Sequence, residues 1–202
     1  MNLTEPHDVL DALRADDADA LTRLHARLER AAEHEDLLDI GYRTLDTPLG
    51  SLLLAATPVG LVRVAYAAED HDAVLNALAE KVSPRILRAP DRLDGAAREL
   101  DEYFTGSRTQ FDLPLDLRLA DGFRRQVIEH LREIGYGHRE SYAAVAAAIG
   151  HPRAVRAVGS ACARNPLPLV IPCHRVVRTD GSIGQYVGGA DAKQTLLTLE
   201  AA

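Results

Sequence analysis

Cysteine is scarce in this chain. Among 202 residues only Cys162 and Cys173 occur, too few for a disulfide framework or for a cysteine-rich structural zinc site. Eight histidines are scattered along the sequence, and none stands at zinc-finger spacing from a cysteine. The sequence therefore predicts a reduced protein without a metal site or another cofactor.

Long apolar runs are also missing. No stretch of eighteen apolar residues occurs, which argues against a transmembrane helix. The first six residues are polar and acidic, whereas a secretion signal begins with basic and then apolar residues. We therefore expect a cytoplasmic protein with no membrane partner, long enough for one large domain or two small ones.

The net charge of −7 is unevenly distributed. Residues 1–40 carry 4 Lys and Arg against 11 Asp and Glu, whereas residues 121–202 carry 10 against 7. The acidity thus belongs to the N-terminal part, and the last third is mildly basic. Local cations govern affinity for phosphates, so overall acidity does not exclude a nucleic-acid partner.

Apolar spacing predicts three consecutive regions. In residues 1–38 leucines recur at helical spacing and predict two acidic helices, interrupted at Asp16-Asp17. From Ile40 onward, strands joined by four-residue turns at 47–50 and 57–60 predict an antiparallel meander. The further elements expected in residues 39–120 are strands at 51–56 and 61–66, helices at 72–82 and 94–104, a possible return to the sheet at 87–90 and an extended connector at 111–119.

The third region, residues 121–202, begins with short alanine-rich helices. Ser141 is a candidate N-cap for a helix over 142–149 that Gly150 would close. Pro152 is a candidate start for a second helix reaching about Arg164. Their length and spacing fit a helix-turn-helix, although such hairpins are usually packing units, so the pattern alone does not predict DNA binding.

Chemistry is concentrated in residues 165–176. Three prolines restrict the backbone around a short predicted strand at 169–171, and Cys173 follows where that strand must end. His174 and Arg175 come next, and two neighbouring cations favour the nucleophilic thiolate form. The pattern predicts a reactive cysteine.

The run Pro172-Cys173-His174-Arg175-Val176 resembles the active-site signature of 6-O-alkylguanine-DNA alkyltransferases. The resemblance is dense from Phe123 to Glu200 and weaker from Ile40 to Leu119, where Leu100-Tyr103-Phe104-Gly106 fits the family. It implies an α+β fold with an antiparallel, ribonuclease-H-like sheet domain at 39–120. A winged-helix-like domain with a helix-turn-helix would follow at 121–202. Residues 1–38 have no counterpart in the family pattern, and their leucine spacing predicts an acidic helical extension.

The resemblance also implies catalytic roles. Cys173 would attack the alkyl carbon on the guanine oxygen, and the protein would be used once. His174 would deprotonate the thiol through a water, with Glu200 orienting the imidazole. Asn165 would join the helix-turn-helix to the active-site segment. Tyr142 would donate a hydrogen bond to the purine as charge develops.

The implied partner is double-stranded DNA containing alkylated guanine, bound by a monomer. The target base would be flipped out of the stack, and Arg156 would fill the space it leaves. The residues expected to bind the base are Tyr186, Val176, Val187, Gly184, Pro168 and Lys193. Besides Arg156, those expected at the DNA are Ala154, Ala157, Gly159, Ser141 and Arg153.

Two positions near the expected DNA and base contacts depart from the family pattern. Val155 is bulkier than the usual alanine beside the arginine that enters the DNA, and Val187 lacks a hydroxyl that some members place near the guanine oxygen.

Two other functions remain open. The main alternative is a catalytically silent sensor or regulator that binds damaged DNA, although such relatives lack the acceptor cysteine. A cysteine hydrolase using Cys173 and His174 is the other.

Overall fold

A computed structural model describes the backbone of residues 6–201 and the side chains of residues 20–201. The chain separates into two compact units, with the boundary between Asp39 and Ile40. The division of the second unit at residues 120 and 121 stays a prediction. No helix in the described part of the chain is both long and apolar enough to cross a membrane.

The first unit holds one long helix, α1 (Pro6–His34). The prediction of two helices is wrong, because the helix continues through Asp16-Asp17. Aspartate in a helix interior costs only about 0.7 kcal/mol relative to alanine, far less than the break that proline causes.

The second unit opens with a four-stranded sheet in the order β3-β2-β1-β4. The strands β1 (Ile40–Thr47), β2 (Gly50–Thr57) and β3 (Gly60–Tyr66) form the expected antiparallel meander. The fourth strand, β4 (Ile86–Arg88), pairs parallel to β1. The sheet is therefore mixed, because β4 returns after a helix rather than through a hairpin.

Helices cover both faces of this sheet. The helix α2 (His71–Lys81) packs with one set of β2 side chains, Leu53 and Ala55. The alternate residues of β2 face the other way and join the core that contains α3 (Asp94–Phe104). Since successive strand side chains point to opposite faces, β2 is apolar throughout rather than alternating.

The remaining helices are α4 (Gly122–Leu131), α5 (Tyr142–Ala148), α6 (Val155–Ala163) and α7 (Gly189–Leu199). Two short strands, β5 (Glu140–Ser141) and β6 (Val176–Val177), pair in parallel. This helical half and the sheet half share one apolar core, in which Leu54 and Tyr103 belong with Val158 and Leu196.

The pair α5 and α6 forms the expected helix-turn-helix. Ser141 caps α5 by accepting a hydrogen bond from the Ala144 N–H at 3.0 Å, and Gly150 follows the helix with φ 78°. The second helix begins at Val155 and not at Pro152 as predicted. The Ala154 N–H bonds the His151 carbonyl at 2.8 Å, so residues 151–154 form a turn before α6.

The predicted strand at residues 169–171 is absent. Leu169 has φ 74°, a left-handed conformation that no strand residue adopts. The Ile171 N–H bonds the Leu167 carbonyl at 2.8 Å, which closes a turn. A 3₁₀ turn over Cys173–Arg175 follows and leads into β6.

Candidate active site and DNA-binding surface

Cys173 opens the 3₁₀ turn, and only 2% of its surface is exposed. The Asn165 side chain at the end of the helix-turn-helix holds it. Its amide Nδ2 donates to Cys173 Sγ at 3.2 Å and to the Ile171 carbonyl at 2.9 Å. Its Oδ1 accepts from the Leu167 N–H at 3.0 Å. One buried amide thus fixes both the turn and the thiol.

The resting form of Cys173 is the neutral thiol. Burial raises the pKa of Cys173 to about 11, although the Asn165 hydrogen bond and the positive charge of Lys193 act in the opposite direction. The prediction that His174 and Arg175 favour a thiolate is therefore wrong. Adjacency in sequence does not bring their cationic atoms to the sulfur, since both side chains bond Glu200 instead.

Glu200, just after α7, is the centre of a buried hydrogen-bond network. Its Oε1 accepts from His174 Nε2 at 2.9 Å, the Tyr103 hydroxyl at 2.7 Å and Arg175 Nη2 at 2.9 Å. Its Oε2 accepts from Arg175 Nε at 2.8 Å and from the Gly137 N–H at 3.3 Å. Glu200 as a residue is 5% exposed, and its carboxylate accepts five hydrogen bonds.

These contacts set the protonation of the His174–Glu200 pair. Burial alone would raise the pKa of Glu200, but the hydrogen bonds from His174 and Arg175 outweigh it and bring the pKa to about 2. Burial lowers the pKa of His174, despite the opposing effect of Glu200. A neutral imidazole that donates from Nε2 carries its lone pair on Nδ1. His174 Nδ1 is buried and has no hydrogen-bond partner among the described residues.

Residues 183–188, half-buried except for the exposed Gln185, form a segment beside this site. The Tyr186 hydroxyl is 3.0 Å from that of Tyr66 on β3. A Cβ added to Gly188 would lie 2.6 Å from the Tyr66 ring, and one on Gly184 would lie 3.1 Å from the Tyr142 hydroxyl. The segment therefore meets two tyrosines through its bare backbone, which requires glycine at both positions.

The other residues expected to bind the base lie around the same site. Lys193 is fully buried and donates from Nζ to the Val176 carbonyl at 2.6 Å, with the ammonium 5.9 Å from the centre of the Tyr142 ring. The Val176 carbonyl, on a residue expected to bind the base, therefore already accepts a hydrogen bond within the protein. Pro168 is buried and Val187 is half-buried.

The helix α6 and the turn before it expose one face to solvent, which includes Val155 at 37% exposure. Arg153 and Arg156 are exposed together with Ala157, while Ala154 and Gly159 are half-buried. The opposite face packs into the core through residues that include Val158, Ala161 and Cys162. The exposed face therefore combines small residues, which permit close approach, with two guanidinium groups. Ser141 serves α5 as its N-cap.

Three residues make contacts at the site that the sequence did not predict. Arg175, which was expected to act on the thiol, holds Glu200 with two nitrogens. Tyr103 donates to Glu200, and Tyr66 bonds Tyr186. Tyr103 belongs to the run at 100–106 that resembles the family. Its partner Glu200 lies 97 positions further along the chain, so no sequence signal indicated the contact.

Together, the fold and the site define a class of protein in which a buried cysteine and a hydrogen-bonded histidine–glutamate pair lie next to a helix-turn-helix. The second helix of that motif exposes an arginine. The family described as 6-O-methylguanine DNA methyltransferase matches the chain in two parts. Its ribonuclease-like domain matches residues 40–117, and its DNA-binding domain matches residues 122–202.

Named relatives agree. The chain is 40% identical over 161 residues to the methylated-DNA–protein-cysteine methyltransferase of Mycolicibacterium paratuberculosis, covering 80% of this chain and 92% of that protein. The constitutive methylated-DNA–protein-cysteine methyltransferase of Bacillus subtilis is 38% identical. The alignment covers 79% of this chain and 94% of that protein.

Solved structures agree as well. The O6-methylguanine methyltransferase of Mycobacterium tuberculosis is 36% identical with a TM-score of 0.71, over 80% of this chain and 93% of that one. The same organism's OGT in complex with DNA is 37% identical with a TM-score of 0.69, over 80% and 92%. This chain belongs to the 6-O-methylguanine DNA methyltransferase family.

Proposed function

We propose that this protein repairs DNA by transferring an alkyl group from 6-O-alkylguanine irreversibly onto Cys173, as a methylated-DNA–protein-cysteine methyltransferase that acts once. The observation that carries the proposal is the buried assembly of Cys173 and Asn165 beside the His174–Glu200 pair. It supplies a nucleophile, a donor that stabilises developing thiolate, and an oriented base.

The transfer forms a bond from Sγ to the alkyl carbon and breaks the bond from that carbon to the guanine oxygen. Because Cys173 is a thiol at rest, its proton must leave during the reaction, and His174 Nδ1 receives it through a water. Glu200 then stabilises the imidazolium. The electron pair of the broken bond stays with the guanine, where the Tyr142 hydroxyl offsets the charge by donating a hydrogen bond. The thioether is not cleaved.

Access to the sulfur requires movement. With 2% of Cys173 exposed, a flipped base can reach Sγ only if neighbouring atoms shift, and the half-buried segment 183–188 is the part that meets Tyr142 through glycine backbone. We expect duplex DNA carrying the lesion to change amide hydrogen exchange in residues 183–188. Unchanged exchange there would contradict this route of entry.

The proposed lesion-bearing partner is double-stranded DNA bound by a monomer in the cytoplasm. Arg156 on the exposed face of α6 would occupy the space of the flipped nucleotide. Ala154, Ala157 and Gly159 would allow the helix to approach the groove, and Arg153 would contact phosphate. The positive charge of the last third of the chain supports this orientation.

The test is intact mass after exposure to duplex DNA carrying 6-O-methylguanine. A gain of about 14 Da on the peptide containing Cys173, reached once per molecule, is expected because a methyl replaces the thiol hydrogen. Cys162→Ala is the matched control and should still gain the methyl, whereas Cys173→Ala should bind DNA and gain nothing. A methyl that stays on the DNA with the unaltered protein would indicate a sensor, and repeated turnover of an ester would indicate a hydrolase.

A further inference from the structure

The sheet half of the protein supplies a group to the active site of the helical half. Tyr103 lies on α3 and is fully buried, and its hydroxyl donates to Glu200 Oε1 at 2.7 Å. We infer that Tyr103 is a positioning residue for alkyl transfer, which acts through Glu200 to hold and tune the imidazole of His174. The inference rests on the proposed function and adds to it a residue outside the helix-turn-helix half.

Packing alone does not explain the hydroxyl. The Tyr103 ring contacts Phe104, Phe111 and Tyr136, with ring centres 5.5, 5.3 and 6.2 Å away. A phenylalanine ring would make the same contacts. A buried hydroxyl is costly unless it is bonded, and the bond to Glu200 is the one described for this group. The hydroxyl is thus specific to the carboxylate.

The consequence is electrostatic. Burial raises the pKa of Tyr103 well above its ordinary range, and the nearby Glu200 adds to this, so the phenol remains a donor throughout the working pH range. It shares Oε1 with His174 Nε2. By drawing charge from that oxygen, it weakens the stabilisation of an imidazolium and helps to keep the imidazole neutral before reaction.

Other charged and titratable groups face the pair from several elements. Arg175 contacts Glu200 directly, Lys193 on α7 acts on His174, and Tyr136 follows α4. All three are left in place when only the Tyr103 hydroxyl is altered. Any shift in the titration of His174 then reports the phenol and no other group.

The experiment measures single-turnover transfer from methylated duplex DNA against pH. The proteins are the unaltered chain, Tyr103→Phe, and a chain with 3-fluorotyrosine placed at position 103. Removal of the donor should move the acidic limb of the profile up by about half a pH unit, since the imidazolium gains stability. The fluorinated phenol is a stronger donor and should move the limb down.

Thr57→Val is the matched control. It deletes another buried hydroxyl of the sheet half, which donates to Asp116 at 2.6 Å. It should lower the urea midpoint without moving the pH profile. If Tyr103→Phe behaves in the same way and the fluorinated protein shows no opposite shift, the inference is overturned. If Tyr103→Phe does not fold, the direction of the fluorotyrosine shift decides alone.

Failure of the proposed function gives a different result. In that case the unaltered protein itself gains no methyl at any pH. Failure of the Tyr103 inference instead leaves an active protein whose profile is the same with and without the hydroxyl.

Discussion

The sharpest prediction concerns Asn165, because one side chain serves both stability and chemistry. Asn165→Ala removes the bonds to Ile171, Leu167 and Cys173 at 2.9, 3.0 and 3.2 Å. Three bonds at about 1 kcal/mol each give about 3 kcal/mol, and the Leu167 N–H left unpaired in the core can bring the loss to about 4 kcal/mol, whereas the Ile171 carbonyl still accepts from the Cys173 N–H at 2.8 Å. Urea unfolding at pH 7 measures this loss.

Asn165→Ala should also slow alkyl transfer, apart from its effect on stability. The Asn165 hydrogen bond is the largest effect that lowers the Cys173 pKa against burial. Without it the thiol pKa should rise by about one unit, which makes proton removal about tenfold less favourable and slows single-turnover transfer to a similar extent. Quenched-flow transfer at saturating duplex DNA measures the rate of the folded variant.

A double-mutant cycle isolates the contact between amide and sulfur. Asn165→Ala is compared in the unaltered protein and in Cys173→Ala, where Sγ is absent. A coupling of about 1 kcal/mol in stability is expected, because the two backbone bonds are lost equally in both backgrounds. A coupling of zero together with an unchanged transfer rate would refute the assignment of Asn165 to the thiol.

Three further results are expected. Glu200 holds its pKa near 2, below the ordinary 4.5, so its contribution to stability is present above pH 4.5 and is lost as pH falls toward 2. The loss is at most about 3 kcal/mol before solvent screening. Urea midpoints measured against pH for the unaltered protein and for Glu200→Gln check this. If the midpoint of Glu200→Gln falls as steeply in acid as that of the unaltered protein, the expectation is contradicted. Arg156→Ala should slow transfer from duplex DNA about tenfold more than transfer from free 6-O-methylguanine, as loss of a groove-filling side chain predicts; equal slowing would contradict the finger role. Gly188→Ala places a methyl 2.6 Å from the Tyr66 ring and should cost about 1–3 kcal/mol. Gly95→Ala, whose added methyl meets no atom within 4 Å, is its control in thermal unfolding.

Local signals in the sequence predicted much of the fold. The turns at 47–50 and 57–60 fixed the ends of β1, β2 and β3, and the helix predicted at 94–104 is α3 itself. The parallel pairing of β4 was not predictable, because strand direction is set by a long-range partner. The helix α1 was misread because two aspartates were treated as a break.

The candidate site was only partly accessible from the sequence. The motif predicts which residues form the site, but not where their side chains point. A 3₁₀ turn over Cys173–Arg175 directs the side chains of His174 and Arg175 to Glu200 and away from the sulfur. The left-handed Leu169 likewise has no sequence signal, since leucine rarely adopts that conformation.

A buried, neutral thiol suits a protein that can react only once. An exposed thiolate would be consumed by oxidants and by unrelated electrophiles, and each such event would remove one molecule from use. Here burial raises the pKa of the thiol. The Asn165 hydrogen bond and the charge of Lys193 lower it, and Glu200 orients His174. On the proposed mechanism, reactivity depends on the substrate being in place, because only then would proton transfer to His174 accompany the formation of a new bond to sulfur. Burial lowers the pKa of His174, so on the proposed mechanism the base stays neutral, and able to accept the thiol proton, until transfer begins.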